Sequence, residues 1–98
     1  MMEGISNYQI YHCDQDNHNK IWGWCQHGDH FWAFWGAVGK SCSFKHHGTY
    51  VWDIHHVSNK KLQKGYKPIR LEHMLMLDPN FSIMFQERFV ACLLQTPI

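Results

Sequence analysis

Histidine and cysteine side chains are the first candidates for chemistry, because nine histidines and four cysteines occur in 98 residues. The tightest cluster is Cys25-x-His27-x-x-His30, with His12 or Cys13 as a further potential ligand. Structural zinc sites usually take closely spaced pairs of such ligands. Here His27 and His30 are separated by two residues that form a predicted turn, so they match the spacing of such a pair only loosely. We therefore predict that the protein binds no metal and carries no other cofactor.

Catalysis would require a nucleophile, a base and a group that orients them. The sequence contains no H-E-x-x-H zinc-protease motif, no G-x-S-x-G nucleophile turn and no phosphate-binding P-loop. The cysteines show no C-x-x-C spacing, so we expect free thiols, some of them buried as small apolar groups. We predict that the protein is not an enzyme.

The segment WGAVGK, residues 35–40, places an aromatic ring and a cation on either side of two glycines. Gly36, directly after Trp35, would let a ligand approach the backbone closely. An indole ring stacks on bases or sugars without reading sequence. The alternative is that Trp35 belongs to the core, since tryptophan is mostly buried on average. The sequence leaves both interpretations open.

Basic residues are concentrated in the middle of the chain. Residues 40–70 hold seven Lys and Arg against one acidic residue, a balance of +6, whereas residues 1–39 carry −3 and residues 71–98 carry −2. Four histidines lie in the same middle segment and could add charge below about pH 6.5. This distribution predicts an anionic partner for one face, with a solvated lysine-rich helix end as the alternative.

The elements that must position these residues follow from hydrophobic periodicity. Strand patterns are predicted at residues 5–13, 20–26, 30–36 and 40–46. After Gly48 the apolar spacing becomes helical, which predicts a helix over 50–64 with Thr49 as its N-cap and Gly65 as its left-handed stop. The order of strands and helix predicts an antiparallel sheet with a helix on one face.

The last third of the chain is predicted to form a short strand at KPIRL, residues 67–71, and a helix over 79–95. Asp78 and Pro79 suit the start of that helix, and Thr96-Pro97 would end it. Its predicted apolar face comprises Phe81, Met84, Phe85, Phe89, Cys92 and Leu93. We expect an α+β fold with a small antiparallel sheet of four to five strands, organised as a domain at 1–70 and a C-terminal helical extension at 71–98.

No apolar run reaches the length of a membrane span, so we expect no membrane interaction. The first residues lack the basic start and apolar core of a signal peptide. We expect a cytoplasmic protein, or a nuclear one if the source is a eukaryote.

Residues 17–67 resemble a WGR domain, the Trp-Gly-Arg module of DNA-dependent poly(ADP-ribose) polymerases and of many bacterial proteins. Three strings carry the resemblance, in the family's order and spacing: NHNKIW at 17–22, WGAVGK at 35–40 and KLQKGY at 61–66. Ala37 stands where the family has its arginine, which puts that residue's contribution to binding in doubt. The second helix lies outside the match.

The resemblance implies a non-catalytic module that recognises DNA ends or the nucleic-acid backbone. In the polymerases the motif tryptophan packs against the DNA end, which singles out Trp35 here. Lysines would supply salt-sensitive phosphate contacts. The predicted nucleic-acid-binding residues are Trp35, Gly36, Lys40, Lys45, Lys60, Lys61, Lys64 and Lys67.

The alternative function is a small protein-interaction module, an adaptor or inhibitor that docks through the sheet and the C-terminal helix. A short, aromatic-rich chain of this kind would suit a regulator encoded by a virus or phage. Ala37 and a net charge of only +1 favour this alternative, whereas the basic middle segment favours nucleic acid.

Overall fold

The computed structural model describes residues 4–95, which form an α+β fold with a five-stranded antiparallel sheet. The elements in chain order are β1 Ile5–Cys13, β2 Lys20–His27, β3 His30–Ala37, β4 Ser43–Gly48, α1 Val51–Gln63, β5 Lys67–Ile69, α2 Leu71–Leu77 and α3 Phe81–Gln95. The strands lie in the order β4-β3-β2-β1-β5. The predicted fold class is confirmed.

One face of the sheet, here called the covered face, packs against α2 and α3. Alternate side chains of a strand point to opposite faces, so Trp32 and Phe34 of β3 point to this one. Its buried cluster combines sheet residues with helix residues that lie within 71–95, the expected C-terminal extension. The largest members are Ile10, Ile21, Trp32, Phe34, Met74, Phe81, Phe85 and Phe89. Sheet and extension therefore share one core.

Gly23 of β2 makes the packing of Phe34 possible. A Cβ atom at Gly23 would lie 2.6 Å from Phe34 Cε2 and 2.7 Å from the Gln9 carbonyl oxygen, both closer than real contacts allow. The ring of Phe34 is fully buried and meets Phe85 edge-on at 4.9 Å. A glycine inside a strand thus marks a close approach of an aromatic ring, as is common for such positions.

The opposite face, here called the groove face, is only partly covered, by α1. Tyr11, Trp22 and Ala33 are buried there, with Val57 of α1 and Tyr66 packed beside them. Ile54 and Ser58 of α1 are buried, whereas Leu62 is 45% exposed. In the C-terminal half of α1 Leu62 therefore points to solvent, and Lys61, which is partly buried, lies on the side of the sheet.

The ends of α1 confirm one prediction and correct another. Gly65 takes a positive φ of 94° and stops the helix as expected. The N-cap is Tyr50, not Thr49, and no side chain caps this end. The reason is that Gly48, with φ 74°, turns the chain directly after β4, and the first backbone bond runs from the Asp53 N–H to the Tyr50 carbonyl.

Other boundaries also differ from the predicted ones: β2 and β3 each extend one residue further, to His27 and Ala37, and β4 ends at Gly48 rather than at residue 46. β4 begins at Ser43 rather than at residue 40, because a turn with Gly39 at φ 87° occupies the preceding residues. The predicted strand at 67–71 ends at Ile69, and the chain then forms α2, a helix that the sequence analysis missed. Helix α3 begins at Phe81, after the Asn80 N–H donates to Asp78 Oδ1 at 3.1 Å. The predicted stop at Thr96-Pro97 lies outside the described residues.

No helix within residues 4–95 is both long enough and apolar enough to cross a membrane.

Candidate functional site

A groove runs along the groove face between the C-terminal half of α1 and the sheet. It consists of three adjoining hollows with volumes of about 260, 390 and 300 Å³. Lys61 lines all three, Trp35 lines the first two, and Lys20 and Tyr66 line the last two, so neighbouring hollows of this groove share walls. We call it the basic groove and define it by Lys20, Trp35, Lys45, Lys61, Lys64 and Tyr66.

Trp35 forms part of the floor of the first two hollows. It pairs with Trp22 across β2 and β3 on the same face, yet Trp22 is 3% exposed and Trp35 is 39% exposed. The difference arises because Val57 and Tyr66 pack against the cluster that contains Trp22. Trp35 is therefore not part of the buried core, and its side chain is accessible from the groove.

Three lysines converge at the far end of the groove. Partial burial lowers the pKa of Lys61, and the neighbouring charges of Lys64 and Lys20 lower it further. The Lys61 ammonium lies 5.3 Å from the centroid of the Tyr66 ring, a cation–π contact that holds it in place. Within residues 4–95 none of these lysines forms an ion pair with a carboxylate. The converging positive charge is uncompensated there, as in a site for an anion.

The other end of the groove carries Lys45 and His47 of β4, which line the first hollow together with Trp35 and Lys61. The pKa of His47 is lowered, chiefly by burial and then by the charge of Lys45, while Asp53 acts in the opposite direction. A lowered pKa favours the neutral imidazole at pH 7. Lys45 is therefore the main positive charge at this end.

The structure brings only some of the predicted binding residues together. Trp35, Gly36, Lys45, Lys61 and Lys64 line the groove. Gly36 also serves the fold, since a Cβ atom there would lie 3.2 Å from the Ser41 carbonyl oxygen.

The other predicted lysines lie elsewhere. Lys40, in the turn after β3, and Lys60, on α1, are exposed outside the lining of the three hollows. Lys67 pairs with His12 across β5 and β1, and the His12 ring lies 6.4 Å from that of His73 in α2. Because directly paired residues point to the same face, the Lys67 side chain leaves the sheet on the covered face.

Lys20 and Tyr66 also line the groove, although neither was among the predicted binding residues. Both belong to strings quoted for the family resemblance, NHNKIW and KLQKGY, and that membership was the available signal. Lys20 begins β2 and pairs with Ala37 at the end of β3, which brings it to the groove. Tyr66 follows the stop at Gly65 and folds back beneath Lys61.

The suspected metal ligands Cys25, His27 and His30 lie on the covered face, where each has contacts of another kind. Cys25 is fully buried on the covered face, and burial raises the pKa of its thiol to about 12. His27 meets Phe89 edge-on at 5.9 Å, whereas His30 Nδ1 and His46 Nε2 share a hydrogen bond of 2.8 Å. Within residues 4–95 no group of three or more His, Cys, Asp or Glu side chains could hold a metal ion. That the protein binds no metal stays a prediction.

No family model, curated protein sequence or solved structure gives a significant match to this chain. The resemblance to WGR domains therefore rests on three short segments of the sequence, NHNKIW, WGAVGK and KLQKGY.

Proposed function

We propose that the protein is a non-catalytic nucleic-acid-binding module of the WGR type and that its ligand lies in the basic groove. The observation that carries this proposal is an accessible tryptophan, Trp35, between Lys45 on one side and the converging Lys20, Lys61 and Lys64 on the other. A stacking ring flanked by cations fits a ligand that alternates aromatic bases with phosphates.

Affinity in such a groove comes from phosphate contacts that release counterions and from stacking. Neither discriminates strongly between bases. The positive charges that define the groove belong to lysines, which act on phosphate as point charges and lack the planar fork with which arginine reads a guanine edge. We therefore propose binding with little sequence preference.

Lys20 offers a substitute for the arginine that the WGR pattern places at position 37. Lys20 pairs directly with Ala37 across β2 and β3, and both residues line the hollow that contains Trp35. We propose that Lys20 supplies from the neighbouring strand the positive charge that Ala37 cannot supply.

Two double variants with equal loss of charge test the groove. Lys61→Ala with Lys64→Ala removes two groove lysines, and Lys60→Ala with Lys67→Ala removes two lysines outside it. We expect wild-type binding to weaken about ten- to a hundredfold over a fourfold rise in salt. The groove variant should lower the slope of log affinity against log salt by about 1.5 to 2, and the control variant should change it far less.

Fluorescence anisotropy with a labelled oligonucleotide at four salt concentrations measures these slopes. Equal effects of the two double variants would show that the groove is not the binding surface. A wild-type protein that binds no nucleic acid at low salt would refute the proposed function.

The second candidate function is a protein-interaction module. It is favoured by the outer surface of α3, where Ile83 is 63% exposed, Val90 39% and Leu94 83%. Apolar side chains in such a row on one helix are often covered by a partner. This candidate becomes the preferred one if the protein shows no salt-dependent binding to nucleic acid.

A further inference from the structure

The basic groove is concave, and its stacking ring lies inside it. Trp35 lines two hollows: the first is bounded by Val57 and Lys61 of α1 and by β4, and the second by Lys61, Tyr66 and the start of β2. In a double helix the faces of the bases are covered by their stacked neighbours except at the two terminal pairs, and the rest of the exposed surface consists of backbone and groove edges. Only a base that is free of such stacking can lay its face on a ring in this position.

The order of groups along the groove matches an extended strand. Lys45 lies beside Trp35 in the first hollow, Lys20 and Lys61 flank Trp35 in the second, and Lys64 lines the third. Lysine side chains thus lie on both sides of the Trp35 ring along the groove. A single strand, whose phosphates alternate with splayed bases, can place phosphates on both sets of lysines while one base reaches Trp35.

Tyr66 does not offer a second stacking surface. Its ring is half-buried and lies beneath the Lys61 ammonium at 5.3 Å, so that face of the ring is occupied. Tyr66 instead fixes the position of a phosphate-binding group. The groove therefore offers one stacking ring, Trp35, with lysine side chains on either side of it.

We infer that the ligand of the basic groove is single-stranded nucleic acid, bound through one base stacked on Trp35 and through phosphates on Lys45 and on the Lys20, Lys61 and Lys64 cluster. This inference rests on the proposed function and narrows its ligand class. Single strands of DNA and of RNA share the chemistry, and the two are compared in the test.

The test uses four labelled probes of equal length at one low salt concentration: oligo(dT), oligo(rU), a mixed-sequence single strand and a blunt duplex. We expect the single strands to bind at least about tenfold more tightly than the duplex. Trp35→Ala should weaken single-strand binding about five- to 150-fold, which corresponds to the loss of one stacked base. Trp35→Leu should do the same, because it keeps apolar bulk at this position but has no flat ring.

Trp52→Ala is the matched control. Trp52 is 63% exposed on α1 and lies outside the lining of the groove, so single-strand binding should not change. Thermal melting of each variant establishes that the protein remains folded.

The outcomes separate the two proposals. A duplex that binds as tightly as the single strands overturns the inference while the proposed function stands, and so does an equal effect of Trp35→Leu and Trp52→Ala. Absence of binding to all four probes overturns both. Tight binding of oligo(dT) or oligo(rU), or of both, supports the inference and identifies the sugar that the groove accepts.

Discussion

His30 and His46 share a hydrogen bond in which only one proton fits between the two ring nitrogens. His30 Nδ1 and His46 Nε2 lie 2.8 Å apart, so one ring donates and the other accepts. Burial lowers the pKa of His46, and the nearby His30 lowers it further. Asp29 Oδ1 lies 3.5 Å from the other nitrogen of His30, Nε2. A second proton would place two N–H groups against each other.

This contact predicts a loss of stability in mild acid. A histidine whose folded pKa is below its ordinary value near 6.5 contributes stability that is present above pH 6.5 and is lost as the pH falls through the folded pKa. We expect the melting temperature to drop between pH 7.5 and pH 5. His46→Gln should show a smaller drop than the wild type, as measured by thermal melting at both values.

His55→Gln is the control for this prediction, because His55 is exposed on α1. It should retain the full wild-type drop. An unchanged drop in His46→Gln would show that other groups cause the acid sensitivity.

At the scale of single residues, the sequence predicted that lysines and a tryptophan line the candidate site, but it did not predict which lysines do so. Lys60 and Lys61 are neighbours on α1, and consecutive helical side chains point in directions about 100° apart. Which one lines the groove depends on how α1 lies on the sheet, and no local pattern contains that information. Lys20 meets Lys61 only through the fold, since β2 begins beside the C-terminal end of α1.

At the scale of elements, α3 supplies the aromatic wall of the covered face. Phe85 is 1% exposed and meets Phe34 at 4.9 Å and Phe44 at 5.2 Å between ring centroids. Removing this ring leaves a cavity that the surrounding aromatic rings cannot fill, because their positions are fixed by one another.

We predict that Phe85→Ala lowers the free energy of unfolding by about 3–5 kcal/mol. Ile83→Ala, two residues away on the exposed side of α3, should change it by less than about 0.5 kcal/mol. Urea denaturation monitored by tryptophan fluorescence measures both. Similar losses in the two variants would contradict the assigned orientation of α3.

The predicted strands and long helices were found because their apolar period is local and extends over many residues. Helix α2 was not predicted because its seven residues, LEHMLML, make only two turns. In addition, α2 follows a strand directly, and no side chain caps its N-terminus. The start of β4 was misplaced for a similar reason, since the turn at Gly39 and Lys40 contains no residue that excludes a strand.

At the scale of the whole molecule, the sheet is a middle layer with α1 on one side and α2 and α3 on the other. The sequence predicted the class but not this arrangement. In β3 the run FWAFW is apolar at consecutive positions, so the strand has no polar side that would mark the face left open. Which face each helix covers is decided by long-range packing, such as that of Phe34 over Gly23.

Within residues 4–95 no three His, Cys, Asp or Glu side chains are grouped closely enough to hold a metal ion, which leads to a prediction about metal content. Elemental analysis of the purified protein should find no stoichiometric zinc, and a chelator should leave the melting temperature unchanged. One zinc per chain, lost together with the folded structure, would contradict the prediction.

Because side chains alternate along β3, mutations on its two faces have different consequences. Substitutions at Trp32 or Phe34 alter the buried core of the covered face, whereas substitutions at Trp35 or Ala37 alter the lining of the groove. The groove surface can therefore change in evolution while the core on the other face keeps the chain folded.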